Sequence, residues 1–229
     1  MAAEGPSCSL SLLNVSLHLI SFFASSETLL ARHFVRHYRG VGVPLRNMLL
    51  LIHRRANDSL AYHSTLEALR EEGLDEGSVS HPLVDAARDF EKVKVRNINA
   101  RIMRLPEDAY VIYADVDEFF SFPCDMVRRL AKHDIFCATM SDRMAANGKV
   151  MPLRRHPDIA AQFPHRCYVR QHVRRKGTPM NTVKVALMRV RRRSDKLLRL
   201  FTGTPLSANT QQTRMQMCGA VAGDLPGTS

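Results

Sequence analysis

Three short apolar runs, at about 14–23, 47-NMLLLIH-53 and 110-YVIYAD-115, are separated by stretches whose apolar residues recur at helical spacing, and this alternation restricts the fold more than any other feature. In 25-SSETLLARHFVRHYRGVGV-43, Leu30, Phe34 and Tyr38 repeat every four residues, which predicts a helix. Ser25 or Ser26 is its expected N-cap, Glu27 lies in its first turn, and Gly40 and Gly42 end it. A second helix is predicted over 59–74, introduced by Asn57 and Asp58 and stopped by Gly73, and further helices over 85–103 and 124–134. Strands are predicted at 135–142 and 181–190. Strand and helix in this order predict an α/β fold, with a mostly parallel central sheet flanked by helices.

A chain of 229 residues, 45% hydrophobic and 24% charged, suits one large domain and excludes a disordered chain. Residues 1–13 read as a flexible leader, 14–200 as the domain and 201–229 as a small, polar, aperiodic tail. The apolar stretch 8–24 is interrupted by serines, Asn14 and His18. A spanning helix needs about 20 mostly apolar residues, so this stretch reads as a core strand and no transmembrane span is expected. The five cysteines are widely spaced and form no CxxC pair; they read as small core hydrophobes of a reduced compartment, or of a lumenal one in which they stay buried. His33 and His37 are four apart and read as a solvated pair. The default location is the cytoplasm, with a membrane-associated site the alternative if an N-terminal anchor is missing from this chain.

The net charge of +11 is concentrated: residues 166–199 hold twelve Lys or Arg against one acid, Asp195, a surplus equal to that of the whole chain. Such a patch implies an anionic partner or a solvated basic face. Runs such as RQHVRRKG and RVRRRSDK also fit a nucleic-acid-binding module, but few aromatics interleave them and no recognition signature accompanies them.

The strand at 110–115 runs directly into Asp115, Asp117 and Glu118. Negative charge at the end of a buried strand is costly unless a cation sits beside it, and in open α/β sheets ligands bind at the strands' carboxyl ends. In an extended chain the side chains of Asp115 and Asp117 would share one direction, and in a turn they can converge on one cation. Oxygen ligands suit magnesium or manganese. The alternatives are that these acids cap the next helix or pair with a buried Arg, or that they belong to a phosphohydrolase-like strand end, where Phe119 stands in place of the expected Thr or Val.

The order LHLISFFASSETLLARHFVRHYRGVGV, MLLLIHRRANDS, YVIYADVDEFFSFP resembles the glycosyltransferase family 2-like proteins of GT-A fold, in the branch that carries a DVDEF or DIDEF motif. The later pieces SDRMAANGKVMPL, QFPHRCYVR and VKVALMR are also similar to that branch, so the likeness spans about residues 14–190. It implies a Rossmann-like GT-A domain that moves a sugar from a nucleotide-sugar donor to an acceptor hydroxyl of a glycan, lipid or protein. It also implies that Asp115 and Asp117 hold a divalent metal, manganese or magnesium, on the donor's diphosphate, and that Glu118 orients the loop or assists the ligands. Asp142 is the candidate base for the acceptor, although an ion pair with Arg143 is the plainer reading. Arg143 and Lys184 are candidate phosphate contacts, and Glu27 and Asp58 candidate contacts to base or ribose, each also readable as a cap or a solvated charge. The branch continues into a His-bearing segment, whereas the last histidine here is His172. A C-terminally shortened derivative that binds nucleotide sugar without turning it over is therefore a further expectation.

Overall fold

A computed structural model describes residues 10, 15–53, 59–82, 90–123, 126–130, 133–139, 142–146, 151–167 and 183–190, with backbone alone at Val127, Arg128, Thr139, Asp142, Met144, Arg166, Cys167, Val183 and Lys184. The expected flexible leader lies almost wholly outside the described residues, as do Asp58, the 201–229 tail and most of the 166–199 basic patch.

The chain begins β1 (Leu17–Ala24), α1 (Thr28–Val41), β2 (Met48–His53), α2 (Ser59–Glu71) and β3 (Val79–Ser80), then α3 (Phe90–Ile102) and β4 (Tyr110–Tyr113). There follow α4 (Met126–Leu130), β5 (Ile135–Thr139), β6 (Asp142–Met144), α5 (Ile159–Gln162), β7 (His165–Cys167) and β8 (Val183–Arg189). Six strands form one sheet in the order β3-β2-β1-β4-β8-β5, and β6 and β7 form a separate two-stranded sheet. The pairs β1–β2, β2–β3 and β1–β4 are parallel, while β8 runs antiparallel to both β4 and β5. The predicted α/β class with a mostly parallel, helix-flanked sheet is what the chain forms.

Strict alternation within the strands divides the core into two layers. On one face Leu17, Leu19 and Phe23 of β1, Met48, Leu50 and Ile52 of β2, and Tyr110 and Ile112 of β4 pack with Phe34, Val35 and Tyr38 of α1. On the other, Ile20, Phe22, Leu51, Val111 and Tyr113 pack with Ile98 and Ile102 of α3. Both faces are covered, so β4 is buried throughout and reads in the sequence as an unbroken apolar run.

Four expectations change. Neither Ser25 nor Ser26 holds the N-cap position of α1: the helix starts at Thr28, and Glu27 occupies that position without a side-chain bond, while Ser25 is buried with its backbone N–H bonded to the His53 carbonyl. At the other end Gly42, at φ 103°, adopts the left-handed conformation that favours glycine, whereas Gly40 lies inside the helix. The stretch 135–142 is not one strand, since β5 stops at Thr139 and Asp142 opens β6 in the second sheet, pairing with Cys167. Cys137 is not a free core thiol but is disulfide-bonded.

Candidate functional site

The connection order makes the β1–β4 junction special: from β1 the chain builds outward through β2 to β3, then returns to add β4 on the opposite side of β1. Ligands of open α/β sheets bind in the crevice outside the carboxyl ends at such a reversal. Two segments emerge there, 25–27 after β1 and 114–118 after β4, with Ala114 N–H bonded to the Ile20 carbonyl at 3.3 Å.

The register of β4 decides where Asp115 goes. Val111 and Tyr113 face α3, and Asp115, two residues on, meets the same helix: Lys94 Nζ lies 3.0 Å from its Oδ1. The Tyr113 hydroxyl donates to that oxygen as well, at 3.1 Å. Burial pushes the Tyr113 hydroxyl well above the usual tyrosine range, and the negative charge of Asp115 pushes it the same way, so it stays protonated and donates. The extended chain ends here. A turn at Val116 and Asp117 is closed by Glu118 N–H bonding to the Asp115 carbonyl at 2.9 Å, and Glu118 Oε2 in return accepts from Asp115 N–H at 2.9 Å. Asp115 and Asp117 therefore do not share an extended strand direction; Asp117 stands exposed at the turn.

Helix α1 holds the turn from the other face of the sheet. The hydroxyl of the fully buried Tyr38 donates to the Glu118 carbonyl at 2.9 Å and accepts from Phe120 N–H at 3.2 Å. Burial pushes this hydroxyl upward too, which keeps it a donor at any working pH. One turn earlier Phe34 meets Phe119 edge to face, and His37 donates from Nε2 to the Phe120 carbonyl at 2.9 Å. His33, 2% exposed, donates from Nε2 to the Arg154 carbonyl at 2.7 Å. These histidines are thus not the solvated pair expected; α1 packs on two sides, and each ring caps a carbonyl of a neighbouring segment. Tyr38→Phe strands two buried backbone groups at once and is expected to lower the unfolding free energy by about 1–3 kcal/mol. Urea denaturation measures this, and a midpoint unchanged from the parent would show that the acidic turn does not depend on α1.

The α3 side of the crevice is aromatic. Phe22 stacks on His53 at 5.4 Å and 14°, Phe90 meets both rings edge to face, and Lys94 Nζ lies 5.9 Å from the Phe90 centroid and 5.7 Å from that of Tyr113. Phe90, Lys94, Ile98 and Ile102 are spaced by four and so occupy one stripe of α3, the stripe that faces the sheet. A lysine in that apolar stripe is the sequence signal that marks it as the partner of a buried-side acid.

The remaining predicted site residues scatter. Glu27 stands at the end of β1, where its carbonyl accepts from Ala31 N–H. Arg143 donates to the Phe163 carbonyl at 3.2 Å. Asp142 lies in β6 and Lys184 in β8, with side chains outside the described residues, as is the whole of Asp58. Among the described residues no group of three or more His, Cys, Asp or Glu is placed to hold a metal ion. The pair Asp115 and Asp117 nonetheless offers hard oxygen donors, and the ammonium already on Asp115 marks a point where the structure requires positive charge. Oxygen donors of this type suit a divalent cation. No family model matches the chain, and no curated protein matches it. Among the described residues no helix is long and apolar enough to cross a membrane.

Proposed function

We propose that this chain is a glycosyltransferase of GT-A fold that moves a sugar from a nucleotide-sugar donor to an acceptor hydroxyl, with the donor's diphosphate seated beyond the ends of β1 and β4. The observation that carries this reading is Asp115: a carboxylate directly after a fully buried strand, at the reversal point of a mostly parallel sheet, on a turn fixed from both faces. Asp115 Oδ1 is bonded from α3 and from its own strand.

Asp115 and Asp117 would hold a divalent ion, manganese or magnesium, which when bound would neutralise charge gathering on the departing diphosphate. Glu118 accepts from the Asp115 N–H, and Tyr38 holds the Glu118 carbonyl and the Phe120 N–H, so the backbone of the turn is held before any ligand arrives. Glu27, on the adjoining β1 loop, would meet the ribose or base. Asp142 is retained as the base for the acceptor hydroxyl, and Arg143 and Lys184 as phosphate contacts. The disulfide at Cys137 favours an oxidising compartment, hence the lumenal location over the cytoplasmic one.

The test is thermal denaturation against a panel of nucleotide sugars, with and without manganese. A cognate donor at about a hundred times its Kd is expected to raise Tm by roughly 5–10 °C, and only when manganese is present. A chain stabilised by no nucleotide sugar but by DNA or RNA, in a salt-sensitive way, would not be a transferase.

A further inference from the structure

We infer that His33 is a positioning residue: by pinning the 151–163 segment to α1 it sets the small β6–β7 sheet beside the carboxyl ends of β4 and β5, and with it the groups that would face the acceptor. The last clause rests on the transferase reading; the docking of the small sheet does not. The inference adds that one stripe of α1 serves two segments, the acidic turn through His37 and the small sheet through His33.

The small sheet starts close to the strand ends. Strand β8 runs antiparallel to both β4 and β5, so β5 runs parallel to β4 and Thr139 finishes at the same end of the large sheet as Tyr113. Asp142 opens β6 three residues later, a span of at most about 10 Å. The chain between β6 and β7 includes 151–163, which lies against α1. His33 Nε2 donates to the Arg154 carbonyl at 2.7 Å; Gln162 Nε2 donates to the same carbonyl at 2.8 Å, while its Oε1 accepts from Arg154 N–H at 2.8 Å. Gln162 Nε2 also donates to the Pro157 carbonyl at 2.5 Å, which closes 154–162 into a loop. Arg143 of β6 donates to the Phe163 carbonyl at 3.2 Å, and this ties the loop to the small sheet. The other links to the helices are more exposed. Arg36 Nη1 donates to the Arg155 carbonyl at 3.1 Å, and Arg155 meets Glu71 with side chains 54% and 41% exposed, where an ion pair contributes little. His33, by contrast, is 2% exposed, and its Nδ1 has no hydrogen-bond partner among the described residues. An apolar residue would avoid that buried unpaired nitrogen, so packing alone does not require a histidine; the Nε2–H bond does. His33 and His37 are four apart and share one side of α1, where His37 holds the Phe120 carbonyl at 2.9 Å. The loop and the acidic turn therefore sit one helical turn apart on the same helix.

Trypsin cleavage and peptide-resolved hydrogen exchange on the full chain test this without any turnover. His33→Leu is of similar size and lacks the donor. Cleavage after Arg154 and Arg155, and exchange in 142–146 and 163–167, should become about 5- to 150-fold faster, the rate equivalent of one buried hydrogen bond, while β1, β2 and β4 exchange as in the parent. His33→Gln restores an amide N–H near the place of Nε2 and should return both rates toward the parent values. Parent-like rates in His33→Leu, no recovery in His33→Gln, or faster exchange in every strand alike would each overturn the inference. Thermal denaturation with the nucleotide-sugar panel separates it from the transferase reading. A donor that stabilises the parent should raise the Tm of His33→Leu by the same amount, because His37 and Tyr38 still hold the turn; loss of that rise would mean that His33 acts on the turn instead, and would overturn the inference. If no donor stabilises the parent, the transferase reading falls and the exchange rates alone decide the docking. Should His33→Leu fail to fold, nitrogen-15 spectra of the parent decide the matter: His33 as the Nε2–H tautomer with a slowly exchanging proton supports the inference, and a bare Nε2 overturns it.

Discussion

Exchange of Glu72 for glutamine is expected to lower the unfolding free energy by about 3 kcal/mol at neutral pH, since removing one partner of a largely buried ion pair leaves the other charge uncompensated. Glu72 follows α2 with its side chain 6% exposed, and its two oxygens receive Arg36 Nη2 at 2.5 Å and Arg36 Nε at 2.8 Å. Arg32 stands 3.5 Å from the same carboxylate and bonds Glu71 at 2.5 Å, where Arg155 joins at 2.6 Å. The network ties α1 to α2 and to the 154–156 segment, behind the helix that positions the acidic turn. Burial alone pushes the Glu72 carboxyl upward, but the Arg36 hydrogen bond, with the charges of Arg36, Arg32 and Arg39, outweighs it and leaves Glu72 below the ordinary glutamate value of 4.5. The folded-state value is depressed, so the stabilisation is complete above 4.5 and fades as pH falls below it. Urea midpoints across this range should show a steep acid limb in the parent and a shallower one in Glu72→Gln. Parallel limbs, or a loss under 1 kcal/mol, would mean that the arginines find water or other partners without difficulty.

The sequence discloses layers better than it discloses encounters. Helices α1 and α2 and strands β1, β2 and β4 were legible because apolar periodicity records which residues face a core. Strand β3 was not, because two residues, Val79 and Ser80, carry no period. The direction of β8 was equally hidden: Val185 to Met188 are buried on both faces, and a fully apolar run gives no sign of which way it pairs. At the site, the acids were visible as residue types, but their surroundings depend on register. Only the parity that sends Tyr113 and Asp115 toward α3 reveals Lys94, and only the packing of α1 against the turn turns His37 and Tyr38 from generic helix residues into supports. The strand expected over 135–142 is divided for a related reason: Ile135–Thr139 pairs in the large sheet and Asp142 in the small one, a partition that no change in the local sequence pattern announces.

The two aspartates should separate in their effects, which makes them the sharpest probe of the strand end. Asp117 is exposed, and its side chain has no hydrogen-bond or ion-pair partner among the described residues, so Asp117→Asn is expected to change stability by no more than about 0.5 kcal/mol. Its whole effect should fall on the ligand: loss of the manganese-dependent rise in Tm, and a fall in transfer rate of roughly 10²–10³, the size found when one group stabilising developing charge is removed. Asp115→Asn should lose the same function and also about 1 kcal/mol of stability, because Lys94 and the Tyr113 hydroxyl then face a neutral amide where they faced a carboxylate. Steady-state transfer kinetics and urea midpoints on both variants separate a shared chemical role from a structural one. If Asp117→Asn keeps full transfer and its manganese response while Asp115→Asn is merely less stable, the acids of this turn are there for Lys94 and the fold, and a diphosphate-bound metal has no place at the end of β4.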